Sequence, residues 1–512
     1  MKKIIFFTLL AFSVITLSTT SCSDFLDKYP TESVPATKSI GNVTDAEVAI
    51  NGVYHAMASY AYYGRDMVLY AEYKGGDFGI TTAGIASNDA TYFFHHTPSS
   101  NSYSTTWDQC YFILLQINNI LECIERGQVD AQTTSEITRL NSVKGQALTI
   151  RALIHFDLAK LYGYPYLKDN GASLGAAIVK NTLTASAQLT RNTVAECYEQ
   201  AITDLKQVID DNLLPTTKKN GYINQYGAKS LLARIYLYKG DWENASTMAK
   251  DVIENGGYTP YDDTNWVASW SEQFDSESIF ELFVVPTETD LGSTSPYCYF
   301  APRTDPVRRN LGPIMVSDQF LDMFNQSAHD TDVRWKIFGL DEFGYNYSNP
   351  ADPAKIPGRK GWLMKYEGDG KSTNSAVNIK IIRLTEVMLI GAEAALKKSS
   401  TNKTDAVSWI NPVRKRNPAL TDLDGSESTN ELLDEVVLQR RIDLIGEGHR
   451  YFDILRNGGT VHYTDGGEFF PPISAGGRGS TVDWNFNKCV LPIGVNEINA
   501  NPAIKDQQNP GY

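Results

Sequence analysis

The sequence has little cysteine and no cluster of basic residues. Six cysteines are spread over 512 residues without the spacing of metal ligands, so neither a disulfide framework nor a zinc site is expected. Acidic residues outnumber basic ones by 60 to 46, and the formal net charge is −14. Because nucleic acids and anionic lipid surfaces are bound by clustered Lys and Arg, this composition argues against both as partners.

Sequence motifs of catalysis are also missing. The chain has no Gly-rich phosphate loop, no serine nucleophile elbow and no calcium loop of the EF-hand type. His95 and His96 are adjacent, so their side chains point apart in an extended segment, and no set of carboxylates or cysteines accompanies them. We therefore expect no cofactor and no metal site.

One long apolar run stands at the start of the chain. A short cationic start precedes apolar residues from Ile4 to Leu17, and small residues then lead up to Cys22. This is the pattern of a signal peptide, and the run is shorter than the roughly 20 residues that span a bilayer. A cysteine in this position is acylated in bacterial lipoproteins, so we predict a signal peptide over 1–21 and a lipid anchor on Cys22. The alternative is an ordinary secretory signal with a chance cysteine.

Helical periodicity dominates two long stretches. Apolar residues recur at helical spacing over most of 45–257 and 379–456. Small residues in 225–239 and 242–255 would let two antiparallel helices cross closely, as in tetratricopeptide-like hairpins, and 379–416 contains a similar pair. The sequence therefore predicts a mostly α fold whose scaffold consists of such hairpins.

Other stretches lack this periodicity. Residues 75–106, the region of about 258–378 and the tail 457–512 are rich in turn-forming residues, and we predict that the tail wraps the outside. Loops on a rigid scaffold often carry binding residues, and an aromatic ring can stack on the CH face of a sugar while amides and carboxylates take its hydroxyls. The candidate ligand-binding residues are Asp77, Asn88, Tyr92, Phe94, His96, Tyr297, Tyr299 and Phe300. Alternatively, these aromatics pin the loops to the scaffold.

Two carboxylates could form a catalytic pair. Glu386 and Glu393 lie on one helix face with their backbones roughly 10 Å apart. Paired carboxylates at a similar separation serve inverting glycosidases. Because Arg383 precedes Glu386 by one helical turn and small residues flank Glu393, buried ion pairing is the favoured interpretation.

The segment 431–456 carries many charges. Its periodicity places Arg440 on an apolar face, where a guanidinium needs a partner. Asp443, Glu447 and Asp453 follow within reach. We therefore predict a salt-bridge lattice that joins this helix to the next segment, in preference to an anion-binding site.

Four segments together resemble the SusD/RagB family of outer-membrane lipoproteins. They are SDFLDKYP after Cys22, GQALTIRALIHFDLAKLYGYP, VLQRRIDLIGEGHRYFDILRNG and LPIGVNEINANPAIKDQQNPGY. The resemblance covers essentially all of 22–512 and implies a single SusD-like domain. Gln439, Asp443 and Gly494 depart from the family pattern, and these departures concern the scaffold.

The resemblance implies a function as well as a fold. Family members have tetratricopeptide-like hairpins that support a loop-rich, irregular ligand-binding region, and they are not enzymes. The expected protein is tethered by Cys22 to the extracellular face of the outer membrane, captures oligosaccharide, and delivers it to a SusC-like TonB-dependent barrel. Two other hypotheses remain: capture of peptides, as in some relatives, and a lipid-anchored glycosidase that uses Glu386 and Glu393.

Overall fold

The computed structural model is mostly helical, which confirms the predicted fold class. It describes residues 40–80, 91–101, 103–285, 291–301, 311–326, 331–340, 360–367, 377–463 and 480–512. Cys22 and Asn88 lie outside the described residues. Among the helices of the described ranges, none combines the length and the apolar character that crossing a membrane requires.

The α-helices follow one another in chain order as α1 (Val43–Met57), α2 (Asp66–Lys74), α3 (Ser104–Glu125), α4 (Thr134–Tyr162), α5 (Tyr166–Asp169), α6 (Val194–Asp210), α7 (Gln225–Lys239), α8 (Trp242–Asn255), α9 (Pro296–Phe300), α10 (Asp318–Gln326), α11 (Leu384–Lys397), α12 (Lys403–Arg414), α13 (Thr429–Asp443), α14 (Arg450–Arg456) and α15 (Val495–Ala500). Helices α1, α3, α4, α6, α7, α8, α11, α12 and α13 each pack against the next one in this series. The two predicted helical stretches thus join where α8 meets α11. The tetratricopeptide-like character of the hairpins stays a prediction, as do the domain boundaries.

Local sequence explains where these helices begin and how closely they pack. A capping box starts α4, where the Thr133 hydroxyl accepts from the Glu136 amide and the Glu136 carboxylate accepts from the Thr133 amide. Gly391 lies at the crossing of α11 with its neighbours. A Cβ atom there would stand 2.9 Å from the Trp409 ring and 3.1 Å from Ala249, so only glycine allows this approach.

Short antiparallel strand pairs fasten the irregular segments. In the described residues they are β1 (Phe78–Ile80), β2 (Ser278–Leu282), β3 (Ile314–Val316), β4 (Phe338–Leu340), β5 (Lys360–Leu363), β6 (Ile379–Arg383), β7 (Val461–His462) and β8 (Thr481–Val482). Strand β1 pairs with β3, β2 with β6, β4 with β5 and β7 with β8. The β1–β3 pair brings the two predicted irregular regions together, and the β2–β6 pair leads directly into α11.

The C-terminal tail is tied to the scaffold through Arg191. Its guanidinium donates to the carbonyls of Tyr162 at 2.7 Å, Gly175 at 2.8 Å and Gln507 at 2.6 Å. It also donates to the Asn509 side chain at 2.9 Å. Because partners from the segments 162–175 and 507–509 share one buried guanidinium, Arg191 clamps the tail against the end of α4.

Eight buried charges form a network between the scaffold and the irregular region. Its members are Glu277, Asp332, Arg334, Lys365, Arg383, Arg416, Asp443 and Glu447. Four are acidic and four are basic, so the network is neutral as a whole. Below we call it the charge network.

Asp443 is the centre of the charge network. Its carboxylate lies 2.5 Å from both Arg416 and Arg383 and 3.3 Å from Arg334. Burial alone would raise the pKa of Asp443, but these guanidinium groups outweigh burial and hold the pKa well below its usual range. Asp443 is therefore ionised at any physiological pH.

The predicted lattice of the segment 431–456 is confirmed. Arg440 pairs with Asp453 at 2.9 Å, and Arg456 bridges Asp453 at 2.9 Å and Glu393 at 2.7 Å. Glu447 pairs with Arg383 at 2.8 Å within the charge network. The lattice thus extends well beyond the segment from which it was predicted.

The substitution Asp443→Asn is expected to lower the free energy of unfolding by about 3–5 kcal/mol, because it leaves three buried guanidinium groups without their shared counter-charge. Urea denaturation measures this change. Asp422→Asn is the matched control, since Asp422 is 54% exposed and 3.5 Å from a lysine, and it should alter stability by less than about 0.5 kcal/mol. Equal effects of the two variants would contradict the central role of Asp443.

A buried histidine makes stability depend on pH. The His155 Nε2 atom accepts a hydrogen bond from the Val179 amide at 3.1 Å. Burial, assisted by the positive charge of Arg151, lowers the pKa of His155 to about 3. In the unfolded chain this imidazole takes up its proton near pH 6.5. The contribution of His155 to the free energy of unfolding is therefore complete above pH 6.5 and is lost as the pH falls towards 3.

His155→Gln is expected to flatten the pH dependence of stability between pH 6.5 and pH 4, since an amide oxygen can still accept from Val179 but does not titrate in this range. The slope should fall by up to about 1.4 kcal/mol per pH unit. Urea titrations at several pH values provide the measurement, with exposed His462→Gln as the control. The same slope in wild type and His155→Gln would refute this account.

Candidate functional site

The predicted residues Tyr92, Phe94 and His96 are buried among aromatic rings, and Phe94 lies against Lys74. All three are at most 1% exposed. The Lys74 ammonium lies 3.7 Å from the centre of the Phe94 ring and 5.8 Å from that of Tyr451. These contacts are cation–π interactions in a buried setting. The packing favours the alternative that these side chains pin their loop to the scaffold, and their role as ligand contacts stays a prediction.

Asp77 fastens the end of α2 to the C-terminal helices. Its carboxylate lies 2.5 Å from Arg441 and 3.0 Å from Arg450, and it is 1% exposed. Its carbonyl also accepts from the Ser317 amide at 2.8 Å. These contacts give Asp77 a structural role, and its role as a ligand contact stays a prediction.

The second predicted group, Tyr297, Tyr299 and Phe300, lies on α9. Phe300 stacks on Tyr366 at 5.9 Å and lies 5.2 Å from the Phe78 ring, so it joins the two irregular regions beside the β1–β3 pair. Tyr297 is 3% exposed. Tyr299 differs from both, because its hydroxyl is directed to a charged side chain close to the surface.

That side chain is Arg65, between α1 and α2. Arg65 donates to the Tyr299 hydroxyl at 2.9 Å, and its guanidinium carbon lies 4.7 Å from the centre of the Tyr60 ring. Asp66 holds the other side of the guanidinium at 2.7 Å. Tyr60 is 43% exposed and the Arg65 side chain is 17% exposed. We call Tyr60, Arg65 and Tyr299 the Arg65 cluster.

The Arg65 cluster has the chemistry of a saccharide contact. Tyr60 is partly exposed, so its ring can stack on a sugar, and the guanidinium beside it can donate to sugar hydroxyls. Burial raises the pKa of Tyr299, so its hydroxyl stays protonated and can donate a hydrogen bond. Sequence analysis named Tyr299 as a candidate ligand contact but did not name Tyr60 or Arg65. The tyrosine-rich turn that precedes Arg65 is the sequence feature that could have revealed them.

The carboxylates considered for catalysis are both buried in ion pairs. Glu386 is held by Arg234 at 2.6 Å, and Glu393 by Arg456 at 2.7 Å. Burial would raise the pKa of each carboxyl, but the guanidinium beside it lowers that pKa below its usual value. A general acid needs a raised pKa, so this geometry is unsuited to glycoside hydrolysis.

Buried ion pairing was the favoured interpretation of these carboxylates, and it is confirmed. The expected partner of Glu386 was wrong, however. Arg383 pairs instead with Glu277, Asp443 and Glu447, because the strand β6 directs it into the charge network. Arg234 on α7 takes its place beside Glu386.

Groups that could hold a metal ion are not found among the described residues. Burial lowers the pKa of His96, and neither of its ring nitrogens has a hydrogen-bond partner in the described structure.

The five described cysteines are buried and none forms a disulfide.

Family models match both ends of the chain. A model described as the SusD family matches residues 325–512, and one described as "Starch-binding associating with outer membrane" matches residues 24–237. The curated SusD-like protein P2 of Formosa agariphila is 25% identical, and the alignment covers 98% of this chain and 99% of that protein.

Solved structures agree with the family models. A SusD superfamily protein from Bacteroides thetaiotaomicron is 32% identical with a TM-score of 0.82, covering 92% of this chain and 100% of the other. A structure described as a putative sugar binding protein from Bacteroides vulgatus is 32% identical with a TM-score of 0.80, covering 93% and 99%. The chain therefore belongs to the SusD family, a family of carbohydrate-binding proteins associated with the outer membrane.

Proposed function

We propose that this protein binds oligosaccharide at the cell surface without changing it chemically and delivers it to a SusC-like TonB-dependent transporter. The observation that carries the proposal is the Arg65 cluster, an exposed tyrosine ring beside a positioned guanidinium in a protein of the SusD family. The description of one relative as a putative sugar binding protein supports the same ligand class.

A binding role without catalysis agrees with the ion pairing of the buried carboxylates. The hypothetical glycosidase would need Glu386 and Glu393, and these are paired with Arg234 and Arg456. A binding surface needs no such pair. It needs fixed rings and hydrogen-bond donors, and the contacts of Tyr299 and Asp66 with Arg65 fix the guanidinium in place.

The proposed location is the extracellular face of the outer membrane, with Cys22 as the lipid anchor. The N-terminal family match begins at residue 24, directly past the predicted acylated cysteine. Several acyl chains on one residue give firm anchoring. Such a tether would keep the binding surface close to the mouth of its transporter.

The substitution Tyr60→Ala is expected to weaken glycan binding at least about tenfold, equivalent to about 1.4 kcal/mol, because it removes the exposed stacking ring. The purified protein in detergent is first tested on an array of glycans and peptides, and the affinity for the bound glycans is then measured by calorimetry. Tyr226→Ala is the control, since Tyr226 is a half-buried tyrosine on α7 outside the Arg65 cluster.

Three results would count against this prediction in different ways. Unchanged affinity in Tyr60→Ala would remove the Arg65 cluster from the proposal. Binding of peptides alone would favour peptide capture. Release of reducing sugar that Glu393→Gln abolishes in a folded protein would favour the glycosidase.

Cys22→Ala is expected to abolish incorporation of radiolabelled fatty acid, because the acylated thiol is lost. Labelling is measured on the immunoprecipitated protein in cells that export it, beside the wild type as the positive control. Label that persists in Cys22→Ala would contradict the proposed anchor.

A further inference from the structure

A surface groove lies beside α1, and none of the residues that line it belongs to the Arg65 cluster. It consists of two adjoining cavities of about 240 and 450 Å³, which share Asn51 and Tyr222. The first extends along α1 and α4 to Glu47 and Arg139, and the second extends to Phe283. The larger cavity lies within the size range of small-molecule sites in proteins. We call the two cavities together the Tyr222 groove.

Aromatic rings form one end of the Tyr222 groove. Phe283 follows β2 and is 51% exposed, and its ring lies 6.1 Å from that of Phe274. The Tyr222 ring packs edge-on against Tyr54 at 5.5 Å, with the Lys219 ammonium 4.1 Å from its centre. The half-exposed Phe283 ring gains little from folding, so its pairing with Phe274 at a cavity points to a ligand.

The backbone that carries Phe274 is held in a strained conformation. Phe274 has a φ of +52°, in the left-handed region that a side chain with a Cβ rarely adopts. Its amide donates to the buried carboxylate of Glu281 at 3.1 Å, and its carbonyl accepts from Lys218 at 2.8 Å. Such strain of about 1–3 kcal/mol persists where surrounding contacts fix it, and it is frequent at binding sites.

Glu281 is itself anchored by contacts at the β2–β6 strand pair. It accepts from the Ser278 hydroxyl at 2.7 Å and from the Asn378 amide at 2.7 Å. The Phe274 ring is therefore positioned by a buried support, which is what a preformed binding surface requires.

Amides line the middle of the groove. The Asn51 side-chain oxygen accepts from the Tyr222 hydroxyl at 2.9 Å, which leaves the Asn51 NH₂ group available as a donor. Asn220 lies in the turn Lys219–Tyr222, where Gly221 has a φ of +80°. Both asparagines are exposed. They can therefore exchange hydrogen bonds with a ligand that lies against the aromatic rings.

The charges of the groove favour binding over catalysis. Glu47 is the single acidic residue among its lining residues, and Arg139 holds that carboxylate with its Nε atom at 2.8 Å. A carboxylate pair for glycoside hydrolysis is therefore absent from the lining of the Tyr222 groove. Flat rings beside neutral amides match a sugar, whose ring presents CH groups on its faces and hydroxyls at its edge.

We propose that the Tyr222 groove is a second saccharide-binding site, in which Phe274 and Phe283 stack on sugar rings and Asn51 and Asn220 contact hydroxyls. This inference rests on the proposed function. Two sites on one molecule hold a polysaccharide more tightly than a short oligosaccharide, because binding at one site raises the effective concentration at the other.

Phe283→Ala tests the proposal without removing a core residue, since half of this side chain is already exposed. The full-length protein is titrated by calorimetry with pairs of a heptasaccharide and its parent polysaccharide, among them maltoheptaose with amylopectin and laminariheptaose with laminarin. We expect two heptasaccharide sites in the wild type and one in Phe283→Ala, with affinity for the polysaccharide reduced at least about tenfold. Phe283→Tyr, which keeps a stacking ring, should retain both sites.

Phe112→Ala is the matched control, because Phe112 is 55% exposed on α3 and does not line the groove. Tyr60→Ala should also leave one site, the one in the Tyr222 groove. If Phe283→Ala binds like Phe112→Ala while Tyr60→Ala loses all binding, the groove is not a saccharide site and the proposed function stands. If no saccharide of the panel binds the wild type, the proposed function and the groove both fail.

Discussion

Three guanidinium groups converge on the carboxylate of Asp443, and the docking of the irregular region on the helices depends on this contact. Arg334 comes from the irregular region, Arg383 from the end of β6 and Arg416 from the residues that follow α12. None of the three could remain buried without an opposite charge, since an unpaired buried ion is strongly destabilising. The irregular region must therefore be docked on the helical series whenever the protein is folded.

This constraint explains why so many loop aromatics are buried. Ion pairs such as those of Asp77 hold the irregular segments against the helices. Rings such as Phe94 then pack against helical residues, and rings such as Phe300 join the irregular segments to one another. Among the described residues, exposed rings are left at the two proposed ligand surfaces, the Arg65 cluster and the Tyr222 groove. Tyr60 lies against Arg65 in the first, and Phe283 lies beside Phe274 in the second.

The features that sequence analysis predicted correctly depend on local patterns. Helical periodicity acts within one or two turns, and it identified most of the long helices. The apolar face that carries Arg440 predicted that this guanidinium is buried and paired. The partner of Glu386 could not be found in this way, because Arg234 is distant in sequence and reaches it only through the packing of α7 on α11. Composition likewise cannot tell which ring of a loop faces water, as buried Tyr92 and exposed Tyr60 illustrate.

The clamp at Arg191 bears on the order in which the molecule is assembled. Two of its partners, Gln507 and Asn509, leave the ribosome hundreds of residues after Tyr162. Until residues 507–509 have been made, the Arg191 guanidinium and the Tyr162 carbonyl lack the hydrogen bonds that these residues provide. This part of the fold consequently closes only after a long delay in synthesis, although most of α4 and the residues that follow it are already present.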